Sequence, residues 1–177
     1  MDSRLITCRF ATSADIGFIQ ATVRCSWETH FKAFLTDDHI RFDMQREYGD
    51  AVLRQHLDGG PQTFWIAQDA VTAIPLGFVA TERLEQGEIA TLMIHKVYLD
   101  AQLTGQGIGS QLMAWLRSYA VQLGCSQLML MVNRYNRAKN FYEAHGFVIT
   151  EETDTQVGES ETGETYWRND YRMVSVL

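Results

Sequence analysis

Three glycines at alternate positions, Gly105, Gly107 and Gly109, stand between two stretches of opposite periodicity. Before them, residues 97–100 read as the end of a β-strand and residues 101–103 as a short connection. After them, Ile108, Leu112, Trp115, Tyr119 and Leu123 fall on one face of a long helix. Glycine lets the backbone approach a ligand closely, and the first N–H groups of a helix have no intrahelical acceptor. With the positive end of the helix dipole added, a strand, a glycine turn and a helix start form an anion site suited to phosphate.

The neighbouring stretches limit how such a unit can be embedded. Residues 127–132 are a continuous apolar run. That suits a strand buried on both faces and parallel to the one before the helix, joined to it by a right-handed crossover. Upstream, residues 63–67, 75–82 and 89–99 read as short-looped strands of an antiparallel meander. The first third begins with a strand at residues 5–10, followed by an N-cap at Thr12 or Ser13 and a helix carrying Ile16, Ile19, Ala21 and Val23. Trp27, Phe31 and Phe34 continue at helical spacing and read as core. Thr36 precedes a further helix with Asp37 and Asp38 in its first turn, and residues 50–57 form a short one closed by Gly59, Gly60 and Pro61. Near the end, Asn136 caps a short helix whose shared face carries Ala138, Phe141, Tyr142 and His145, with Gly146 closing it. Residues 147–149 start another strand, residues 151–164 read as a polar, acidic, exposed turn or loop, and residues 171–177 as a closing strand.

The 177 residues suit one domain, residues 1–177, with a sizeable core. A net charge of −7 argues against nucleic acid as a partner and is compatible with a cationic small substrate. Cys8, Cys25 and Cys125 have no disulfide or zinc spacing, and His30, His39, His56, His95 and His145 are not spaced as metal ligands, so no metal is expected. The first residues lack the form of a signal peptide and no apolar run reaches membrane-spanning length, from which a cytoplasmic protein without membrane association is expected.

Two nucleotide readings of the glycine stretch fail on its spacing. A Walker-type loop needs a Lys after its last glycine, and none follows. A dinucleotide fingerprint needs a small residue three positions after its second glycine, after the first strand of the fold; that position is Ser110, and several antiparallel strands come first. What remains is a resemblance to the GNAT superfamily of acyl-CoA-dependent N-acetyltransferases. It is carried by His95-Lys96-Val97-Tyr98-Leu99-Asp100 with Thr104-Gly105-Gln106-Gly107-Ile108-Gly109-Ser110, and by Asn136, Ala138, Phe141, Tyr142, Gly146 and Phe147 at family-like separation. The resemblance covers residues 63–149. The ending Asn169-Asp170-Tyr171-Arg172-Met173 also resembles that of bacterial members acting on polyamines.

The resemblance implies an α/β fold of α+β type: a mixed central sheet with antiparallel N-terminal strands, a splayed parallel strand pair, and helices on both faces. It implies acetyl-CoA as cosubstrate. Val97 and Leu99 would pair with the pantetheine arm as an added strand does. The loop Thr104, Gly105, Gln106, Gly107, Ile108, Gly109 and Ser110 would hold the pyrophosphate, with Thr104 departing from the Gln or Arg that the family favours there. Asn136 would bond the pantetheine or fix the second motif, and Tyr142 would protonate the leaving thiolate as general acid. Two-residue alternation puts His95 on the face of Val97 and Leu99, where imidazole could serve as general base. A packed strand histidine, Glu82, Glu88 or a water chain are the alternatives. The acceptor follows as a primary amine of a small molecule, polyamine-like first; a protein N-terminus or lysine, or a non-catalytic CoA sensor, stay open, as does a homodimer.

Overall fold

The computed structural model describes residues 4–30, 35–87, 89–160 and 162–177. Phe31, Phe34 and Glu88, singled out above, lie outside the described residues. One mixed sheet carries strands β1 Ile6–Phe10, β2 Thr63–Asp69, β3 Pro75–Gln86, β4 Ile89–Leu99, β5 Gln127–Asn133, β6 Val148–Glu159 and β7 Thr165–Val176. Their spatial order is β1-β2-β3-β4-β5-β7-β6. All neighbours are antiparallel except β4 and β5, which run parallel. The helices are α1 Ile16–His30, α2 Asp37–Tyr48, α3 Asp50–Leu57, α4 Ile108–Gln122 and α5 Ala138–Ala144.

The sheet separates two apolar cores. On one side, Leu112, Met113, Leu116 and Ala120 of α4 are buried against Trp65, Val79, Leu92, Ile94, Leu128 and Leu130 of the strands. On the other, Ile16, Ile19, Val23 and Trp27 of α1 and Leu53 of α3 pack on Phe64, Ile66, Phe78 and Ala80. The strand alternation expected of a sheet covered on both faces therefore holds along β2 and β3. Thr36 is the N-cap of α2, its hydroxyl accepting from the His39 amide at 3.2 Å.

One expectation is corrected. Residues 151–164 are not a loop: most of them belong to β6, and β7 begins at Thr165 rather than near Tyr171. β6 is an edge strand exposed along nearly its whole length, so it needs no apolar alternation and its polarity concealed it. Charged pairing secures it instead: Arg172 meets Glu151 at 2.5 Å, Asn169 donates to Asp154 at 2.6 Å, and Arg134 binds Asp154 and Glu152. Such charges also discourage further strand addition at that edge.

Candidate active site

The site begins at an irregularity in β4. Thr81 of β3 pairs with Ile94 but Ala80 pairs with Lys96, which leaves His95 as an extra, bulged residue. Pairing of β4 with β5 stops at the same place, the last partners being Ile94 and Leu130. Beyond it the two parallel strands part, and a cavity of about 470 Å³ opens between them. Ile94, His95, Lys96, Val97 and Tyr98 line one wall; Leu130, Met131, Val132 and Asn133 line the other. Among the described residues the 96–99 segment of β4 has no strand partner on its β5 side, so its backbone groups there are available to an extended ligand.

The bulge also corrects the placement of His95. Val97 and Leu99 pack into the α4-side core, Tyr98 into the other. Ile94 and Val97, three positions apart, share the α4 side because the extra residue shifts the alternation. His95 is therefore not on the face of Val97 and Leu99. Its Nε2 lies 2.8 Å from Glu82 Oε2, and Glu82 alternates with Ala80 of the α1-side core. Burial pulls the imidazole below its ordinary 6.5, partly opposed by the bond to Glu82 and reinforced by the charge on Lys96. The pair holds Nε2–H toward the carboxylate and leaves the Nδ1 lone pair free.

At the other end of β4 the glycine loop meets the start of α4. Gly105 and Gly107 have φ of +79° and +76°, a region that side chains other than glycine adopt at a cost. The N–H groups of Gly105, Gly107, Ile108, Gly109 and Ser110 make no backbone hydrogen bond among the described residues. They form the donor set that a pyrophosphate needs, and this fits the expected cosubstrate. Ile108 contributes only its amide, since its side chain is core. The Thr104 hydroxyl donates to the Ala101 carbonyl at 2.8 Å and so is committed to the turn, while Gln106 Nε2 donates to the Gln102 carbonyl at 3.1 Å. Gly109 has a different reason: a Cβ there would stand 3.1 Å from the Phe141 ring. Ser110 Oγ lies 3.0 Å from Nε2 of His145, tying the loop to the end of α5.

Asn136 and Tyr142 both line the cavity, although the glycine loop does not. The Asn136 side-chain carbonyl accepts the Ala138 amide at 2.9 Å, so it holds the entry to α5 as well as facing the cavity. Burial, with Tyr98 nearby, raises Tyr142 well above the ordinary phenol value, so the hydroxyl keeps its proton at any working pH.

Opposite these groups lies a wall that motif reasoning missed. Lys96 is 7% exposed, and its ammonium is 3.1 Å from Glu47 of α2 and 3.2 Å from the Gln62 side-chain oxygen. Burial lowers its pKa despite Glu47; burial likewise works to raise Glu47, but Lys96 outweighs it and the carboxyl ends lower. The difference follows from geometry, since the Lys96 side chain is 6% exposed and that of Glu47 is 27% exposed. The Tyr98 hydroxyl accepts from Trp27 Nε1 at 2.9 Å and is 3.2 Å from the Tyr48 hydroxyl. From β7, Arg168 and Asp170 complete the wall. The signal available in sequence was a charged Lys96 inside an otherwise apolar strand and Asp170 within the ending already noted. Among the described residues no group of three or more His, Cys, Asp or Glu could hold a metal ion. No described helix is long and apolar enough to cross a membrane.

Comparison with known proteins agrees with this geometry. A family profile described as an acetyltransferase (GNAT) domain matches residues 60–149. No curated protein sequence matches the chain. Among solved structures, PaiA N-acetyltransferase from Thermoplasma acidophilum, in complex with coenzyme A, is 18% identical, covers 98% of this chain and 99% of its own, and superposes with a TM-score of 0.76. A GCN5-related N-acetyltransferase from Rhodopseudomonas palustris is 18% identical, with 100% and 99% covered and a TM-score of 0.75. A spermidine N-acetyltransferase chimera of Vibrio cholerae SpeG and hSSAT is 17% identical, with 97% and 95% covered and a TM-score of 0.67.

Proposed function

The chain belongs to the GNAT acetyltransferase family, with acetyl-CoA as cosubstrate, and from that premise we propose that it acetylates the primary amine of a small molecule by direct attack in a ternary complex. The observation that carries this reading is that one and the same cavity, at the β4–β5 splay, is lined by both Tyr142 and His95. Bound acetyl-CoA supplies an activated thioester. The glycine-loop amides would hold its pyrophosphate, and Val97, Leu99 and Asn136 its pantetheine arm. No covalent enzyme intermediate is required, and none of the three cysteines is in the cavity wall.

Each remaining demand falls on a residue of the chain. An ammonium acceptor must lose a proton before its nitrogen can form the new N–C bond. His95, held neutral by burial and oriented by Glu82, takes that proton on Nδ1. A β4 amide near Val97 polarises the carbonyl as its oxygen gains charge. As the C–S bond breaks, Tyr142 gives its proton to the departing sulfur.

A small acceptor is favoured over a protein by what closes the far end. The β6–β7 hairpin packs on α2: Arg46 donates to the Val157 carbonyl at 3.1 Å, and His39 stacks on Tyr166 with ring centroids 4.4 Å apart. The test is CoA thiol release from acetyl-CoA across a panel of small amines, peptides with free N-termini and lysine peptides. Release with small amines is expected. Release with peptides alone moves the acceptor to protein, and tight CoA binding without release for any of them removes the catalytic reading.

A further inference from the structure

Arg168 stands in the acceptor wall, and no step above uses it. Its side chain is 49% exposed, its nearest carboxylate, Asp170, is 3.9 Å away, and its guanidinium makes no hydrogen bond among the described residues. Two other charged groups of this wall have closer partners. Lys96 has Glu47 and Gln62 at 3.1 and 3.2 Å. Asp43, which also lines the cavity, has Arg46 at 2.9 Å and His39 at 3.4 Å. Asp43, Glu47 and Asp170 thus stand against Arg46, Lys96 and Arg168, and Arg137 in the cavity lining adds a further positive charge.

This arrangement does not suit a polycation. A polyamine would bring two or more ammonium groups beside Lys96 and Arg168, with Asp170 already facing Arg168 and Glu82 already bonded to His95, and incompletely paired charge in a partly desolvated site is costly. An amine that carries its own anion adds no net charge. Its carboxylate would meet a guanidinium whose planar fork is free for bidentate bonding, while its amino group faces His95. We propose that Arg168 binds a carboxylate of the acceptor, so that the substrate is a zwitterionic, amino-acid-like amine rather than the polyamine suggested by the Asn169–Met173 ending. This rests on the small-molecule acetyl-transfer reading above and narrows its acceptor.

The experiment compares kcat/KM, by thiol release, for α- and ω-amino acids, their methyl esters and polyamines, in the wild type and in Arg168→Gln and Arg168→Lys. One charge-assisted contact predicts that the free acid exceeds its ester by about tenfold to a hundredfold in the wild type. In Arg168→Gln that ratio should collapse toward one, mainly through KM for the acid, with acetyl-CoA affinity unchanged; Arg168→Lys should retain part of it. Esters or polyamines turned over as well as the acids by the wild type would overturn the assignment of Arg168 and leave small-amine acetylation standing. A ratio that survives Arg168→Gln overturns it too. No release with any small amine, while acetyl-CoA still binds, would remove the small-molecule reading itself and the carboxylate with it.

Discussion

The two halves of the proposed site are made of different material. The proposed donor side comes mainly from one short span of chain, and its groups are mostly backbone: the stretch of β4 past the bulge and the glycine-loop amides, neither of which has a backbone partner on the ligand side among the described residues. The acceptor side is assembled from α1, α2, β4 and β7, and its working groups are side chains, with Trp27, Glu47, Lys96, Arg168 and Asp170 brought together from across the sequence. A site built from backbone can be reused with many acceptors, because only glycine positions and a strand irregularity are needed to form it. A site built from scattered side chains can be rebuilt without disturbing the first.

The sharpest way to break that comparison is at Tyr142, where the donor side must supply a side chain. Tyr142→Phe removes the hydroxyl and keeps the ring that packs near Phe141 and Phe147. Loss of a general acid predicts a fall in kcat of about a hundredfold to ten-thousandfold, with acetyl-CoA affinity by calorimetry nearly intact. Unchanged turnover would remove Tyr142 from the chemistry.

Gly107→Asp tests the backbone half directly. Open space surrounds the missing Cβ, so the penalty is not a clash but the positive φ together with a carboxylate placed where phosphate is expected. A left-handed residue costs about 1–2 kcal/mol, and with the like charge added acetyl-CoA affinity should fall by roughly a hundredfold. The acceptor KM at saturating acetyl-CoA should be preserved. Undiminished CoA binding would place the pyrophosphate elsewhere.

The smallest effect is expected on the acceptor side, at the His95–Glu82 pair. Burial places the imidazole below 6.5, so the acidic limb of kcat/KM should have its midpoint below that value, activity falling as His95 gains a proton. Glu82 works to raise the imidazole, so Glu82→Gln should move the limb lower still. Stability follows the same sign: with the folded pKa lowered, the unfolded chain takes up the proton first, and this contribution, present above pH 6.5, is lost as pH falls through it. A limb that neither mutation at Glu82 nor His95→Gln displaces would assign the base to another group or to water.

How much was legible varied along the chain for physical reasons. The α4 face, the meander and the bounds of α3 could be read because apolar periodicity is the direct imprint of a two-faced sheet covered by helices. β6 could not, because an exposed edge strand is stabilised by cross-strand charges and carries no such imprint. Two-residue alternation puts His95 on the wrong face because it assumes an unbroken ladder, and one inserted residue shifts every side chain that follows.

The sequence by itself determined the elements on which the proposed donor machinery rests: Gly105, Gly107, Asn136 and Tyr142 are specified by local turn and helix geometry, which depends on near neighbours in the chain. Only the tertiary structure decided the acceptor side. Whether Lys96 is paired, and which carboxylate orients His95, depend on contacts between residues as far apart in the chain as Glu47 and Lys96. Charge balance in a cavity is a sum over those contacts, and no local pattern encodes it.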